Sequence, residues 1–439
     1  MNKAMRAILC SAPLTGHLQP MIAIGRQLIA DGSTVAVLTS AHFRDRVERA
    51  GLEHIALPSE CDFDERDLNG QFAGRARMPG FLRSRYDLEH LFIRSISAQH
   101  DRLAALLAER DIDVVLAENL FLGVLPLLSA AQANRPRVAA VCMTPLMANS
   151  ADTAPFGPGF APSTTRAGML RNRLLTLGAT SVVLRRAQRS TDAAVRDAVG
   201  CNAASFVLDW PLLADDVFVL TTPSLEYPRR DLDSKLRYVG PALGRADSGQ
   251  APPVWWDRVD GRRPVVVVTQ GTLDNEDMSR LVEPAITGLA DSGALVVATT
   301  GGPPVESVRV AAANAVVTEF VPFDMMFPHT DVLVTNGGWG GVHFALTHGV
   351  PMVVVGSTED KGEVAARVAR SGAGIRLRRN SPGAIRRAVR TVLDDPSFRD
   401  RAAVLQSEMS GLDGACAISD ALSRPPIDAR EARDSLPPR

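Results

Sequence analysis

The sequence predicts an α/β protein whose chain folds as two doubly wound parallel-sheet halves. Three observations carry that prediction. Arg6 to Ser11 reads as an apolar strand, followed by a turn, a helix with apolar residues at 3.6-residue spacing, and a second strand from Thr34 to Leu38. The same order returns near the other end, where Asp331 to Thr335 is a β-branched run cut off by a glycine loop, followed by a helix and a strand from Met352 to Val355. Finally, 439 residues exceed one ordinary hydrophobic core, so the two units fall to separate domains.

Composition narrows the class. With 46% hydrophobic and 22% charged residues, this is the make-up of an ordinary globular protein, and a formal net charge of −1 gives no electrostatic reason to expect nucleic acid. The five cysteines, Cys10, Cys61, Cys142, Cys201 and Cys416, are odd in number and widely spaced, which argues against a disulfide framework or zinc site and for a reducing compartment. The apolar start is too short for a signal peptide, and no stretch reaches the roughly 20 apolar residues of a bilayer span. A cytoplasmic protein is the expectation.

In the first half, Ala12 to His17 forms the turn above the carboxyl end of the first strand. The helix after it places Met21, Ile22, Ile24, Leu28 and Ile29 on one face, with Pro20 in the first turn and Gly32 beyond its end. Ligands of open α/β sheets bind at such strand ends, so His17 stands over a cleft. No G-x-G-x-x-G follows the first strand, which argues against a nicotinamide or flavin dehydrogenase. Asp113 to Ala117 is another apolar strand, and Glu118 closes it. Between these strands Glu60 to Arg85 is loop-rich and Asp87 to Arg110 is helical.

Arg166 to Ser190 carries Arg166, Arg171, Arg173, Arg185, Arg186 and Arg189 and no acidic residue, and it reads as a basic amphipathic helical pair. Such charge usually solvates an outer face, and a membrane surface is the other reading. A Pro-, Asp- and Gly-rich stretch follows, read as a linker over 226–263 between an N-terminal domain of residues 1–225 and a second domain of 264–395. Asp231-Leu232-Asp233 within it has the form of a D-x-D metal motif, but no strand leads into it. Residues 396–423 read as a helix with a break near Gly414, and 424–439 as a disordered tail.

The densest chemistry lies between Phe320 and Val368. Asn336-Gly337-Gly338-Trp339-Gly340-Gly341 has four glycines in six residues and precedes a helix over Val342 to His348. Glycines let a ligand approach the backbone, and a helix N-terminus offers unpaired amides and partial positive charge, so the residues point to a diphosphate. A tight structural turn is the alternative. Gly349-Val350-Pro351 then opens the next strand, and Ser357-Thr358-Glu359-Asp360-Lys361 puts polar residues at its carboxyl end.

Glycine loop, helix, GVP strand and acidic turn in this order resemble the nucleotide-sugar-dependent glycosyltransferases of the GT-B fold, in the bacterial natural-product branch of the UDP-glycosyltransferase superfamily. Gly16-His17-Leu18-Gln19-Pro20 is similar to that family's G-H-x-x-P. The resemblance implies two facing domains, a C-terminal helix returning to the first, His17 as the base that deprotonates an acceptor, and Glu118 in place of the usual aspartate that orients it. It further implies a UDP- or dTDP-sugar as co-substrate with no cofactor or metal. Its donor site would take Thr272, Phe320, Val321, Asn336, Gly337, Gly338, Trp339, Gly340, Gly341, Asp360 and Lys361. A small natural-product acceptor and inversion at the sugar would follow.

The match departs from the family at four positions. Asn336 stands for a histidine, Gly341 for a Ser or Thr, Phe344 for the glutamate that bonds the ribose, and Lys361 for the glutamine of an Asp-Gln pair. Phe323 likewise replaces a Gln beside the base. A sugar-nucleotide epimerase on the same scaffold and a non-catalytic nucleotide-binding helper are the alternatives.

Overall fold

The computed structural model describes residues 4–78, 80–130, 135–232, 234–244, 251–272, 275–356 and 360–424. Ser357, Thr358, Glu359, Asp233 and the tail from residue 425 on lie outside them.

The first half is a parallel sheet in the order β3-β2-β1-β4-β5-β6-β7. Its strands are β1 (Arg6–Cys10), β2 (Thr34–Thr39), β3 (Glu53–Ala56), β4 (Val114–Glu118), β5 (Arg137–Cys142), β6 (Asp216–Val219) and β7 (Leu236–Tyr238). The second half runs β10-β9-β8-β11-β12-β13, from β8 (Val265–Thr269), β9 (Leu295–Thr299), β10 (Ala315–Thr318), β11 (Val332–Thr335), β12 (Met352–Val354) and β13 (Gly374–Arg376). The buried, Val-rich strands such as β8 follow from helices covering both faces of each sheet. Each half is therefore doubly wound, with the chain reversing direction beside β1 and beside β8.

Three boundaries differ from the sequence reading. β7 lies inside the stretch read as a linker and pairs with β6, because Leu236 buries its side chain against the first core. The helix after β1 spans Thr15–Ala30, so Pro20 sits one turn inside it and Ile29 is partly exposed while Leu18, Met21, Ile22, Ile24 and Leu28 are buried. It begins early because Glu65, from the loop-rich stretch, accepts the Thr15 N–H at 2.9 Å and also the Thr15 hydroxyl, capping the helix from outside. The third difference concerns the glycine loop. The helix there is Trp339–Leu346, which leaves only Asn336 to Gly338 as loop.

The C-terminal segment divides between the halves. Helix Ser397–Ser410 buries Ala402, Leu405 and Met409 in the second core. The chain then breaks at Leu412, and helix Gly414–Leu422 buries Ala415, Ile418 and Leu422 against Thr15–Ala30 of the first half.

The basic pair forms helices Arg166–Gly178 and Arg185–Val199 joined by a π-helical turn. Leu170, Leu174 and Leu177, at i, i+4 and i+7, are about 60% exposed, and Asn172 is the buried residue of their helix. The outward face is thus leucine flanked by arginine, the reverse of an arginine face solvating a buried leucine stripe. Among the described residues no helix is long and apolar enough to cross a membrane.

Candidate active site

Register brings the first group together. β1 and β4 are neighbours with Cys10 opposite Ala117, so the turn leading to His17 and the strand-ending Glu118 emerge side by side. His17 Nδ1 lies 2.8 Å from Glu118 Oε2. Glu118 is fully buried and also accepts the backbone N–H of Ala12 at 3.1 Å and of Leu120 at 2.8 Å. A carboxylate at Nδ1 makes that nitrogen the protonated one, which leaves the Nε2 lone pair to act as a base. Burial pulls the His17 pKa down, but the charge and hydrogen bond of Glu118, with Asp360 and Glu65 behind them, outweigh it, and the pKa lies above the ordinary value.

Asp360 belongs to the second half. Its charge acts on His17 of the first half and helps raise the imidazole pKa. Asp360 immediately precedes helix Lys361–Ser371, its carbonyl accepting the Glu363 and Val364 N–H groups, and Lys361 is buried in the first turn of that helix, beside Gly356 and Gly337.

The second group forms where β8, β11 and β12 end together, with Thr335 opposite both Thr269 and Val354. Asn336 is buried and its amide nitrogen donates to the Gln270 carbonyl. That bond ties two strand ends, so a ligand contact needs the other amide hydrogen. Gly337, at φ +96°, could not carry a side chain, because a Cβ would sit 2.9 Å from Val354. Its N–H is taken by the Thr335 hydroxyl at 3.2 Å, and the Val342 N–H by the Gly338 carbonyl at 3.0 Å. Neither of these two amides is then open to a ligand. The helix start instead offers Trp339, Gly340 and Gly341, whose N–H groups have no partner within the helix. A Cβ added at Gly338, Gly340 or Gly341 would meet nothing within 4 Å. The Trp339 ring itself is buried, edge-on to His343 at 4.4 Å.

Thr272 lies exposed in the turn after β8. Phe320 is 61% exposed with its ring edge near Gly302, whereas Val321 is buried. Phe344 stacks on His348 at 5.3 Å and lies 6.1 Å from Phe323, which stacks on Phe327 at 4.7 Å. An aromatic cluster therefore fills the places where the resemblance expects Glu and Gln. Asp231, the describable part of the D-x-D, accepts from the Ser150 hydroxyl and the Ala151 N–H and is structural.

Sequence reasoning missed three residues. Glu65 came from a stretch without periodicity. His343, on the face of the glycine helix away from the loop, bridges the halves through Nε2 to the Thr221 hydroxyl at 2.8 Å. Glu363 joins an ion-pair network through Arg367, whose other partner, Glu226, is far away in sequence. Nothing local announces such pairs.

Comparison with known proteins bears on the family and the fold. A family model described as the C-terminal domain of erythromycin biosynthesis protein CIII-like proteins matches residues 286–416. The chain is 39% identical to 4'-demethylrebeccamycin synthase of Lentzea aerocolonigenes over 95% of its own length and 98% of that protein. It is 36% identical to UDP-glycosyltransferase 2 of Phaeomoniella chlamydospora over 94% of each. Among solved structures it resembles the kitacinnamycin glycosyltransferase, at a TM-score of 0.72 with 22% identity over 97% of this chain and 100% of that one. It also resembles the calicheamicin glycosyltransferase CalG4, at 0.70 with 20% identity over 99% and 100%. These likenesses show the fold.

Proposed function

Because this chain belongs to the UDP-glycosyltransferase superfamily, in the branch of natural-product glycosyltransferases, we propose that it moves a sugar from UDP or dTDP to a small, apolar acceptor with inversion and without metal. The observation that carries this reading is the His17–Glu118 dyad over the first sheet, with Asp360 facing it from the second. In a single displacement, His17 Nε2 takes the proton of the acceptor hydroxyl as its oxygen attacks the anomeric carbon, and the bond to the diphosphate breaks. An α-linked donor then gives a β-linked product. The amides of Trp339, Gly340 and Gly341, with Asn336 and Thr272, receive the charge that develops on the leaving diphosphate. Asp360 and Lys361 face the sugar, and Phe320 covers the base, with main-chain contacts at Val321. The relative named UDP-glycosyltransferase 2 and the dTDP complex of the glycosyltransferase VinC support donors of both kinds.

The test is acceptor-dependent release of nucleoside diphosphate, with the product anomer assigned by NMR. An epimerase would convert the donor without acceptor, and a helper would bind nucleotide without turnover. Transfer should persist in EDTA, and activity lost to EDTA and restored by Mg2+ would contradict the amide-based account. Because the neutral imidazole is the base and its pKa is raised, kcat/KM should fall on the acid side through a pKa above about 6.5. A limb below that value would contradict the arrangement. The outward leucine and arginine face of Arg166–Arg189 suits an anionic membrane surface as a further partner, and co-sedimentation with acidic against neutral vesicles tests it.

A further inference from the structure

The loop after β5, from Met143 to Thr165, is a first-half segment fixed at several places along its length. Leu146 donates its N–H to Glu226 at 3.0 Å, and Asp152 pairs with Arg230 at 2.7 Å. A further attachment crosses to the second half. Both Gly157 and Gly159 donate backbone N–H to Glu363 Oε1 at 2.8 Å, and Arg376 reaches the Gly159 carbonyl at 3.1 Å.

Glycine is required at one end of this contact. Gly159 has φ +65°, and a Cβ there would lie 2.5 Å from the Gly362 carbonyl oxygen. The other oxygen of Glu363 pairs with Arg367 at 2.7 Å, and Arg367 pairs with Glu226 at 2.6 Å while lying 4.0 Å over the Tyr227 ring. Glu226 and Arg367 are fully buried and Glu363 nearly so. Buried charges in such a chain fix geometry, since each is costly without its partner.

Resting on the function proposed above, we infer that Glu363 is a positioning residue. By holding the 157–159 loop against the first turn of helix Lys361–Ser371, it sets where Asp360 and Lys361 stand relative to His17. Glu363 is one turn from Asp360 on the same helix, and the loop it grips belongs to the half that carries the base. Release of this latch lets the donor-side turn retreat from the dyad while leaving the glycine helix Trp339–Leu346 as it was.

The test reads the His17 titration by NMR in the full chain, which needs no activity. His17 is faced by Glu118 and Glu65 from the first half and by Asp360 from the second, so only the last contribution depends on the latch. Glu363→Ala and, independently, Gly159→Ala should both lower the His17 pKa toward its ordinary value. Both should cut kcat for transfer at least tenfold while the Kd for UDP or dTDP stays within about threefold. Gly159→Ala leaves the Glu363–Arg367 pair in place, so a folding defect in one variant does not decide the matter. An unchanged His17 titration in both folded variants overturns the inference. A shifted titration in a protein whose wild type transfers no sugar keeps the latch and removes the function.

Discussion

Phe344 stands where the resemblance expects a carboxylate that bonds the ribose hydroxyls, and its ring stacks on His348 and lies tilted against Phe323 and Phe327. A phenyl ring leaves no polar group unpaired when a 2′-deoxyribose enters, which predicts that discrimination by that hydroxyl is lost if the donor lies as proposed. UDP and dTDP should compete for the free protein within about tenfold, which is about 1.4 kcal/mol, and calorimetric displacement showing a preference for UDP beyond a hundredfold would refute this. At this scale His17 and Glu118 were legible because each ends an apolar run or follows one at a strand end. Glu65 was not, since the reach of a loop carboxylate to Thr15 leaves no periodic mark in the chain.

The glycine helix shows what an element-level reading captures and loses. Glycines after a β-branched run located the loop, but the position of the first helical residue depends on Gly337 turning through φ +96° and on which amides the loop itself consumes. Gly337→Ala should therefore abolish nucleotide binding, through both the positive φ and the contact with Val354. Gly341→Ser should do the opposite. Its Cβ has room, a hydroxyl adds a donor toward the diphosphate, and serine suits a helix start better than glycine. One added hydrogen bond of about 1 kcal/mol predicts a roughly fivefold lower Kd for UDP or dTDP, and titration calorimetry showing weaker binding would speak against the diphosphate lying there. The basic helical pair illustrates the limit of pattern reading. Spacing located both helices, yet which stripe faces outward depends on packing at Asn172.

Over the whole molecule, both sheets were legible because each repeats one strand, helix and strand grammar, while the contacts between halves were not, because they join residues more than a hundred positions apart. Two of these contacts make stability acid-sensitive. Burial holds the His343 pKa down to about 4, and although burial opposes it, Arg367 and Arg229 hold Glu226 at about 2. Both folded values are depressed, so the stability these two groups contribute is complete above about pH 6.5, falls as the unfolded His343 gains its proton, and falls further as pH drops below the ordinary carboxylate range toward 2. Melting temperature should decline below about pH 6.5, and Glu226→Ala should cost about 3 to 5 kcal/mol at neutral pH by leaving buried Arg229 without its carboxylate and Arg367 with Glu363 alone. A flat Tm from pH 7 to pH 4 would show that neither group is held as described. The central claim, that base and donor site occupy separate halves and meet across the cleft, is tested most directly by His17→Ala. With sugar donor and acceptor supplied, kcat should fall by about a hundredfold to ten-thousandfold while calorimetric binding of UDP or dTDP is unchanged. Wild-type turnover in that variant, or loss of nucleotide binding with the fold intact, would contradict it.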